Sequence, residues 1–350
     1  MLWFYILIFL ISCALLYFSG EWVVGGLMRI ARFLGWREFV VAFFVMAFAA
    51  SLPNLFVGIS SALRQIPQLS FGDVAGNNLI AMTLAVALAV LLGKGREIPA
   101  ESRTVQATSI FTIIAAILPL LLILDGVLSR GDGIFLILAF VFYTFWLFSK
   151  KERFTKIYDE HKIPIVDELR SSSRTTPLGG VRKNFSSFGF ANARVVKEFK
   201  TFIKDLGKVI LGIFLLILAA QGIVASAQFF ALNFNLPLIL VGVLIVGLGS
   251  ALPEVYFAIA STRRGETWMI LGDLMGAVIV PATLVLGIVS LIHPIEIPDF
   301  SPLIVARFFL ILSALFFFFC VRTDRKITKK EALFLLGIYI LFVAVEILMK

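Results

Sequence analysis

Charge, cysteine and histidine are scarce in this chain of 350 residues: 15% of the side chains are charged, two are cysteines and two are histidines. A water-soluble domain carries about a quarter charged residues, so this scarcity excludes a soluble globular chain. Cys13 and Cys320 lie in separate apolar runs, which excludes a disulfide scaffold and a cysteine-built zinc site. His161 and His293 are too few for a histidine-built metal centre. Walker, H-E-x-x-H and Rossmann patterns are missing too, which leaves ATP-driven pumping and metalloproteolysis without support. No resident cofactor is expected, and the chain does not read as an enzyme.

What the chain has in excess is apolar surface: 60% hydrophobic residues, 36 of them Phe, and a mean hydropathy of +1.01. A membrane-spanning helix needs about 20 mostly apolar residues. Ten such runs are present: Leu2–Phe18, Phe39–Leu63, Leu69–Leu92, Val105–Leu124, Ile134–Phe148, Val209–Leu232, Leu236–Ala260, Met269–Ile292, Leu303–Val321 and Ala332–Met349. The first lacks a basic segment ahead of it and reads as a span rather than a signal peptide. The predicted fold class is an all-α integral membrane protein of ten transmembrane helices.

Basic residues give the orientation, because cationic loops stay on the cytoplasmic side. The loops between spans 1–2, 3–4, 5–6, 7–8 and 9–10 hold 27 of the 31 Lys and Arg residues, against four on the other side (Arg64, Arg130, Arg307 and Lys350). Both termini are therefore expected outside, with the cell membrane as the expected location. Topology accounts for the net charge of +9, and no nucleic-acid partner is needed. The expected partners are membrane lipid and small cations.

One hydrophilic stretch is long: Lys150–Lys208, with 14 basic and 7 acidic side chains. Ser171-Ser172-Ser173-Arg174-Thr175-Thr176-Pro177 and Gly179-Gly180 read as flexible linker. Val195, Val196, Phe199, Phe202, Ile203 and Leu206 fall at helical spacing with Lys197, Lys200 and Lys204 between them. That pattern suggests a basic amphipathic helix on the inner leaflet that runs into span six. The expected organisation is residues 1–149 as a first five-helix unit, 150–208 as a cytoplasmic loop and 209–350 as a second five-helix unit.

The two units are copies. Ala50-Ser51-Leu52-Pro53-Asn54 recurs as Ser250-Ala251-Leu252-Pro253-Glu254, and Gly72-Asp73-Val74-Ala75-Gly76 recurs as Gly272-Asp273-Leu274-Met275-Gly276, each offset by 200 residues without a gap. Ser61/Ser261, Arg64/Arg264 and Leu84/Leu284 keep the same register. Five spans separate the copies, an odd number, so the second crosses the membrane in the opposite direction. An inverted repeat with interrupted helices near the midplane is the architecture of a secondary transporter. Pro53 and Pro253 supply the interruption: each removes an amide donor, and the freed carbonyls, near Ala49/Ala50 and Gly249/Ser250, must face protein, water or an ion.

At these residues the chain resembles the calcium/cation antiporter superfamily, whose sodium/calcium exchangers carry two inverted repeats. There the pattern is Gly-Thr-Ser-Leu-Pro-Glu on one helix, then Gly-Asn-x-x-Gly-Ser-Asn on the next. The corresponding residues here are Ala49-Ala50-Ser51-Leu52-Pro53-Asn54 with Gly72-Asp73-Val74-Ala75-Gly76-Asn77-Asn78, and Gly249-Ser250-Ala251-Leu252-Pro253-Glu254 with Gly272-Asp273-Leu274-Met275-Gly276-Ala277-Val278. The resemblance implies a secondary cation antiporter, with Na⁺ and Ca²⁺ as the expected ions and spans one and six sliding across a static core. It also implies a ligand set: Glu254, Ser250 and Ser51 are retained, while Asn54 replaces a glutamate. Asn77 and Ala277 replace serines, and Ala81 and Pro281 occupy the last ligand positions.

Calcium takes six to eight oxygens, with carboxylates among them, and Glu254 alone compensates a divalent ion poorly. Asp73 and Asp273, where the superfamily has Asn, could restore charge. They could equally cap helix starts after Gly72 and Gly272. Asp73 and Asn77 are i, i+4 and share a helix face. Two readings compete with transport. One is an antiporter relative that has lost transport and serves a structural or regulatory role. The other is an intramembrane aspartyl protease, whose two Gly-Asp aspartates would have to touch.

Overall fold

The structure, a computed structural model, describes residues 1–33, 48, 51–93, 97–101, 103–149, 187–265, 267–323 and 325–349. Among the described residues, ten helices follow in chain order. They are α1 (Leu2–Phe33), α2 (Leu52–Leu63), α3 (Gln68–Ile80, a π-turn Ala81–Ala85, then Val86–Leu92), α4 (Arg103–Leu122) and α5 (Arg130–Ser149). After these come α6 (Ser187–Asn233), α7 (Leu238–Val241, a π-turn Gly242–Val246, then Gly247–Arg264), α8 (Trp268–Val280, a π-turn Pro281–Val285, then Leu286–Ile292), α9 (Ile304–Arg322) and α10 (Lys329–Leu348). Among the described residues, nine helices are long and apolar enough to cross a membrane, and α2 is a shorter apolar helix. The first part of predicted span two, the freed carbonyls near Ala49/Ala50 and the linker around Ser171–Gly180 lie outside the described residues.

Two helices outrun their predicted spans. α1 continues past Phe18 to Phe33 although Gly20, Glu21, Gly25 and Gly26 dilute its apolar character. The glycines earn their place by contact: a Cβ on Gly26 would collide with the Val209 side chain of α6, so the smallest residue lets the two backbones approach. α6 runs unbroken from Ser187 to Asn233, so the basic segment continues directly into span six.

α1 and α6 pack on each other in a cluster built from Leu16, Val23, Val209, Leu216, Ala220 and Val224, to which the rest of the fold contributes Leu52, Val57, Leu69, Val241 and Val246. The larger core runs through α2 to α5 and α7 to α10, and among the described residues contains none of α1 or α6. Both ends of the α1/α6 pair are tied. Arg29 Nε donates to Asp205 Oδ1 at 2.8 Å, and the Tyr5 and Phe229 rings stack with centroids 4.0 Å apart. Residues 5 and 205, and 29 and 229, are repeat equivalents, so one inverted pairing is written as an ion pair at one end and an aromatic stack at the other.

Two short antiparallel ribbons close the core on opposite faces. β1 (Ile98–Pro99) pairs with β4 (Lys326–Ile327), and β2 (Val127–Leu128) with β3 (Ile295–Glu296). The first joins loop 3–4 to loop 9–10, the second joins loop 4–5 to loop 8–9, as an inverted repeat requires.

Candidate cation site

The site begins with glycine packing between α3 and α7. A Cβ on Gly242 would stand 2.6 Å from the Leu69 carbonyl oxygen and 2.9 Å from the Asp73 amide nitrogen. One on Gly247 would stand 3.0 Å from the Asn77 amide nitrogen. Gly72 and Gly76, one turn apart on α3, meet the Ile239 and Val243 carbonyls in the same way. This small-xxx-small contact brings the two backbones together across the π-turn of α7. It presses Asp73 and Asn77 against the segment that leads to Ser250, Pro253 and Glu254.

Asp73 is fully buried, and its Oδ1 accepts the Ser250 hydroxyl at 2.6 Å, a bond between the two repeats. The same hydroxyl lies 3.2 Å from the Gly247 carbonyl. Asp73 Oδ2 has no partner among the described residues. The capping alternative does not fit: α3 begins at Gln68, and no acidic residue lies in its first turn. Asp273 likewise lies beyond the first turn of α8, which begins at Trp268. Glu254 is buried in α7 beside Pro253, with Oε2 unpartnered among the described residues. Its carboxyl lies within charge–charge range of Asp273 and Asp73.

Asn54 is fully buried with neither amide atom partnered among the described residues. Asn77 is equally buried; its Nδ2 donates to the Ala277 carbonyl at 3.2 Å, and its Oδ1 is left without a partner. Ser51 is buried at the start of α2. Thus the structure joins Asp73 to Ser250 and Asn77 to the second repeat, sets Glu254 near both aspartates, and buries Ser51 and Asn54 beside Pro53. Among the described residues, no three His, Cys, Asp or Glu side chains converge tightly enough to hold a metal by themselves. Hydroxyl, amide and backbone oxygens would have to complete any coordination shell.

Three further features lie outside the expected ligand set. Cys13 of α1 lies within charge range of Asp73, and a Cβ on Gly249 would stand 2.9 Å from its sulfur. Asn78 is buried with an unpartnered Oδ1. The π-turns Ala81–Ala85 and Pro281–Val285 sit at equivalent repeat positions. In each a threonine hydroxyl, Thr83 or Thr283, bonds back to the carbonyl of Leu79 or Ile279.

Charge balance indicates what such a site takes. Asp73 and Glu254 are buried, and among the described residues neither forms an ion pair with a Lys or Arg. An uncompensated carboxylate in a low-dielectric surround costs several kcal/mol, so the negative charge calls for a cation arriving from water. The aspartyl dyad is absent: Asp73 Oδ1 is taken by Ser250 and Oδ2 has no partner, so Asp73 and Asp273 are not hydrogen-bonded.

Comparison with known proteins points the same way. The family described as sodium/calcium exchanger protein matches residues 4–149 and 205–348. The inner membrane protein YrbG of Escherichia coli (strain K12) is 24% identical over 340 residues, covering 96% of this chain and 94% of that protein. The sodium/calcium exchanger MaX1 of Methanosarcina acetivorans is 24% identical over 344 residues, 97% of each chain. A solved structure of the sodium-calcium exchanger NCX_Mj superposes with a TM-score of 0.60 at 21% identity, covering 98% of this chain and 99% of that one, which establishes a shared fold. With the family matched across both repeats and the helices arranged as its fold requires, the chain belongs to the sodium/calcium exchanger family.

Proposed function

We propose that this cation antiporter exchanges Na⁺ for Ca²⁺ at one site between its repeats, formed by Glu254, Asp73, Asp273, Ser250, Ser51, Asn54 and Asn77. The observation that carries the reading is the burial of Asp73 and Glu254 with no ion pair to a Lys or Arg among the described residues. Asn54 removes one carboxylate from the superfamily pattern, and the two aspartates supply charge from the next helix in each repeat. Amide and hydroxyl oxygens, with the carbonyl that Pro253 frees at Gly249, bring the donor number toward the six to eight that Ca²⁺ takes. Both ions compete for the same oxygens, so binding one displaces the other.

The two clusters support alternating access. α1 and α6 are packed and tied to each other, and they rest on the core through a few apolar residues. They move as one body across the core, exposing the site to one side at a time. Arg64 at the end of α2 reaches the pair through Gln221 at 3.1 Å and Gln228 at 3.3 Å, so part of the sliding contact is polar. The chain lies in the cell membrane with both termini outside and the segment 150–208 in the cytoplasm, as its basic residues direct.

Reconstitution into proteoliposomes tests the reading. Calcium uptake should require an opposing Na⁺ gradient and should vanish in Glu254→Gln. Uptake that ignores the Na⁺ gradient, or that survives intact in the variant, would overturn it.

A further inference from the structure

We propose that Pro281 is a positioning residue for Asn77: by leaving the Ala277 carbonyl without its helical donor, it fixes which atom of the Asn77 amide is offered to the cation. The inference rests on the reading of Asn77 as a ligand and adds a residue that acts on the site without touching the ion.

In an α-helix the amide of residue i bonds the carbonyl of residue i−4. The carbonyl of Ala277 would therefore be served by residue 281, and proline has no amide hydrogen. The two repeats differ here. In α3 the residue equivalent to Pro281 is Ala81, whose N–H does bond the carbonyl of Asn77. In α8 the Ala277 carbonyl lies among buried residues, where an unmet acceptor is costly. It is met from the other repeat by Asn77 Nδ2 at 3.2 Å. Residues 77 and 277 are equivalents, so this contact lies at the pseudo-twofold axis between the copies. The neighbouring carbonyls are handled alike in both copies, by Thr83 on Leu79 and Thr283 on Ile279. The Ala277 carbonyl is thus a point where the symmetry breaks.

A carboxamide has a donor end and an acceptor end. With Nδ2 committed to the Ala277 carbonyl, the flipped orientation would set two carbonyl oxygens against each other. Oδ1 is consequently the free end, and it has no partner among the described residues. One turn earlier on the same face stands Asp73 Oδ2, also unpartnered among the described residues. A cation is attracted to a carbonyl oxygen and repelled by an NH₂ group, so the orientation decides whether Asn77 strengthens or weakens the site.

The test is a double-mutant cycle on the full chain in proteoliposomes, with Ca²⁺ concentration dependence and cation-free melting temperature as readouts. In Pro281→Ala the new amide takes the Ala277 carbonyl and releases Asn77. The half-maximal Ca²⁺ concentration should rise about three- to tenfold, with the maximal rate changed less. In the Asn77→Ala background, Pro281→Ala should add nothing, because the residue it acts through is gone. Without cation, Asn77→Ala should lower the melting temperature in the parent and barely in Pro281→Ala, where no carbonyl is orphaned. Pro281→Gly restores the amide too and serves if the alanine variant folds poorly. Additive effects in the cycle, or an unchanged half-maximal concentration in Pro281→Ala while Asn77→Ala raises it, would overturn the inference. If Asn77→Ala itself leaves Ca²⁺ dependence unchanged, the ligand reading of Asn77 fails, and the inference with it.

Discussion

The Ser250 hydroxyl donates to Asp73 Oδ1 at 2.6 Å and so ties α7 of the second repeat to α3 of the first. The residue equivalent to Ser250 in the first repeat is Ala50, which has no hydroxyl to offer Asp273. Asp73 is also fully buried, whereas Asp273 is partly exposed. The two aspartates are equivalent in sequence and unequal in environment. Asp73→Asn should therefore reduce Ca²⁺ flux more than Asp273→Asn, and Ser250→Ala should weaken binding by the ~1.5–3 kcal/mol of a hydrogen bond to a charged group. Side-by-side flux curves for the three variants check the order, and equal losses for the two aspartates would show that environment does not rank them.

Glu254 lies in the interior of α7 and within charge range of both aspartates. Glu254→Gln keeps the volume and removes the charge, so exchange should be lost while the melting temperature without cation holds or rises. Asn54→Glu is the converse. Asn54 is fully buried with both amide atoms unpartnered among the described residues, and a carboxylate there adds charge without displacing a bonded group. Tighter Ca²⁺ binding, or exchange that becomes pH-sensitive because neighbouring carboxyls share a proton, is the expected outcome. Isothermal titration on the purified variant would show it, and unchanged binding and pH profile would mean that position 54 does not face the ion.

Most of the frame was legible in the sequence. Hydropathy gave the spans, and the 200-residue register carried Leu-Pro and Gly-Asp pairs that an apolar sequence does not repeat by chance. Glu254 stood out as a charge inside an apolar run. Other features depend on contacts between distant residues. Whether Asp73 caps a helix turns on where α3 begins, and α3 begins at Gln68 after Pro67, a turn before Gly72. The continuation of α1 past Glu21 rests on glycine contacts with α6. The π-turns Ala81–Ala85 and Pro281–Val285 are announced by neither Ala81 nor Pro281. The bond from Asn77 to Ala277 needs both copies in place before it exists.

The glycine contact between α3 and α7 carries a stability prediction. Gly72 and Gly76 face the carbonyls of Ile239 and Val243 at distances no Cβ tolerates, and backbone cannot yield as a side-chain end can. Gly76→Ala should lower the melting temperature strongly, by an overpacking cost of about 1–3 kcal/mol or more. A Cβ on Gly272 meets nothing within 4 Å among the described residues, so Gly272→Ala should cost far less. Thermal unfolding in detergent compares the two, and a Gly272 variant as unstable as the Gly76 variant would show that helix propensity and close approach are not the deciding terms.

Movement of α1 and α6 as one body sorts covalent ties into two classes. Tyr5 and Phe229 stack within the pair, so linking cysteines at positions 5 and 229 joins parts that travel together. Gln221 Nε2 lies 3.3 Å from the Ser60 hydroxyl of α2, so linking positions 60 and 221 joins the moving pair to the core. In a background without Cys13 and Cys320, oxidation of the first pair should leave exchange intact, and oxidation of the second should stop it until a reductant is added. Arg64→Gln adds a graded version, since it weakens the polar contact to Gln221 and Gln228 and should change turnover more than Ca²⁺ affinity. Loss of exchange in the oxidised 5–229 pair would mean that α1 and α6 move past each other, and the two ends of the pair would then be stops that limit their travel.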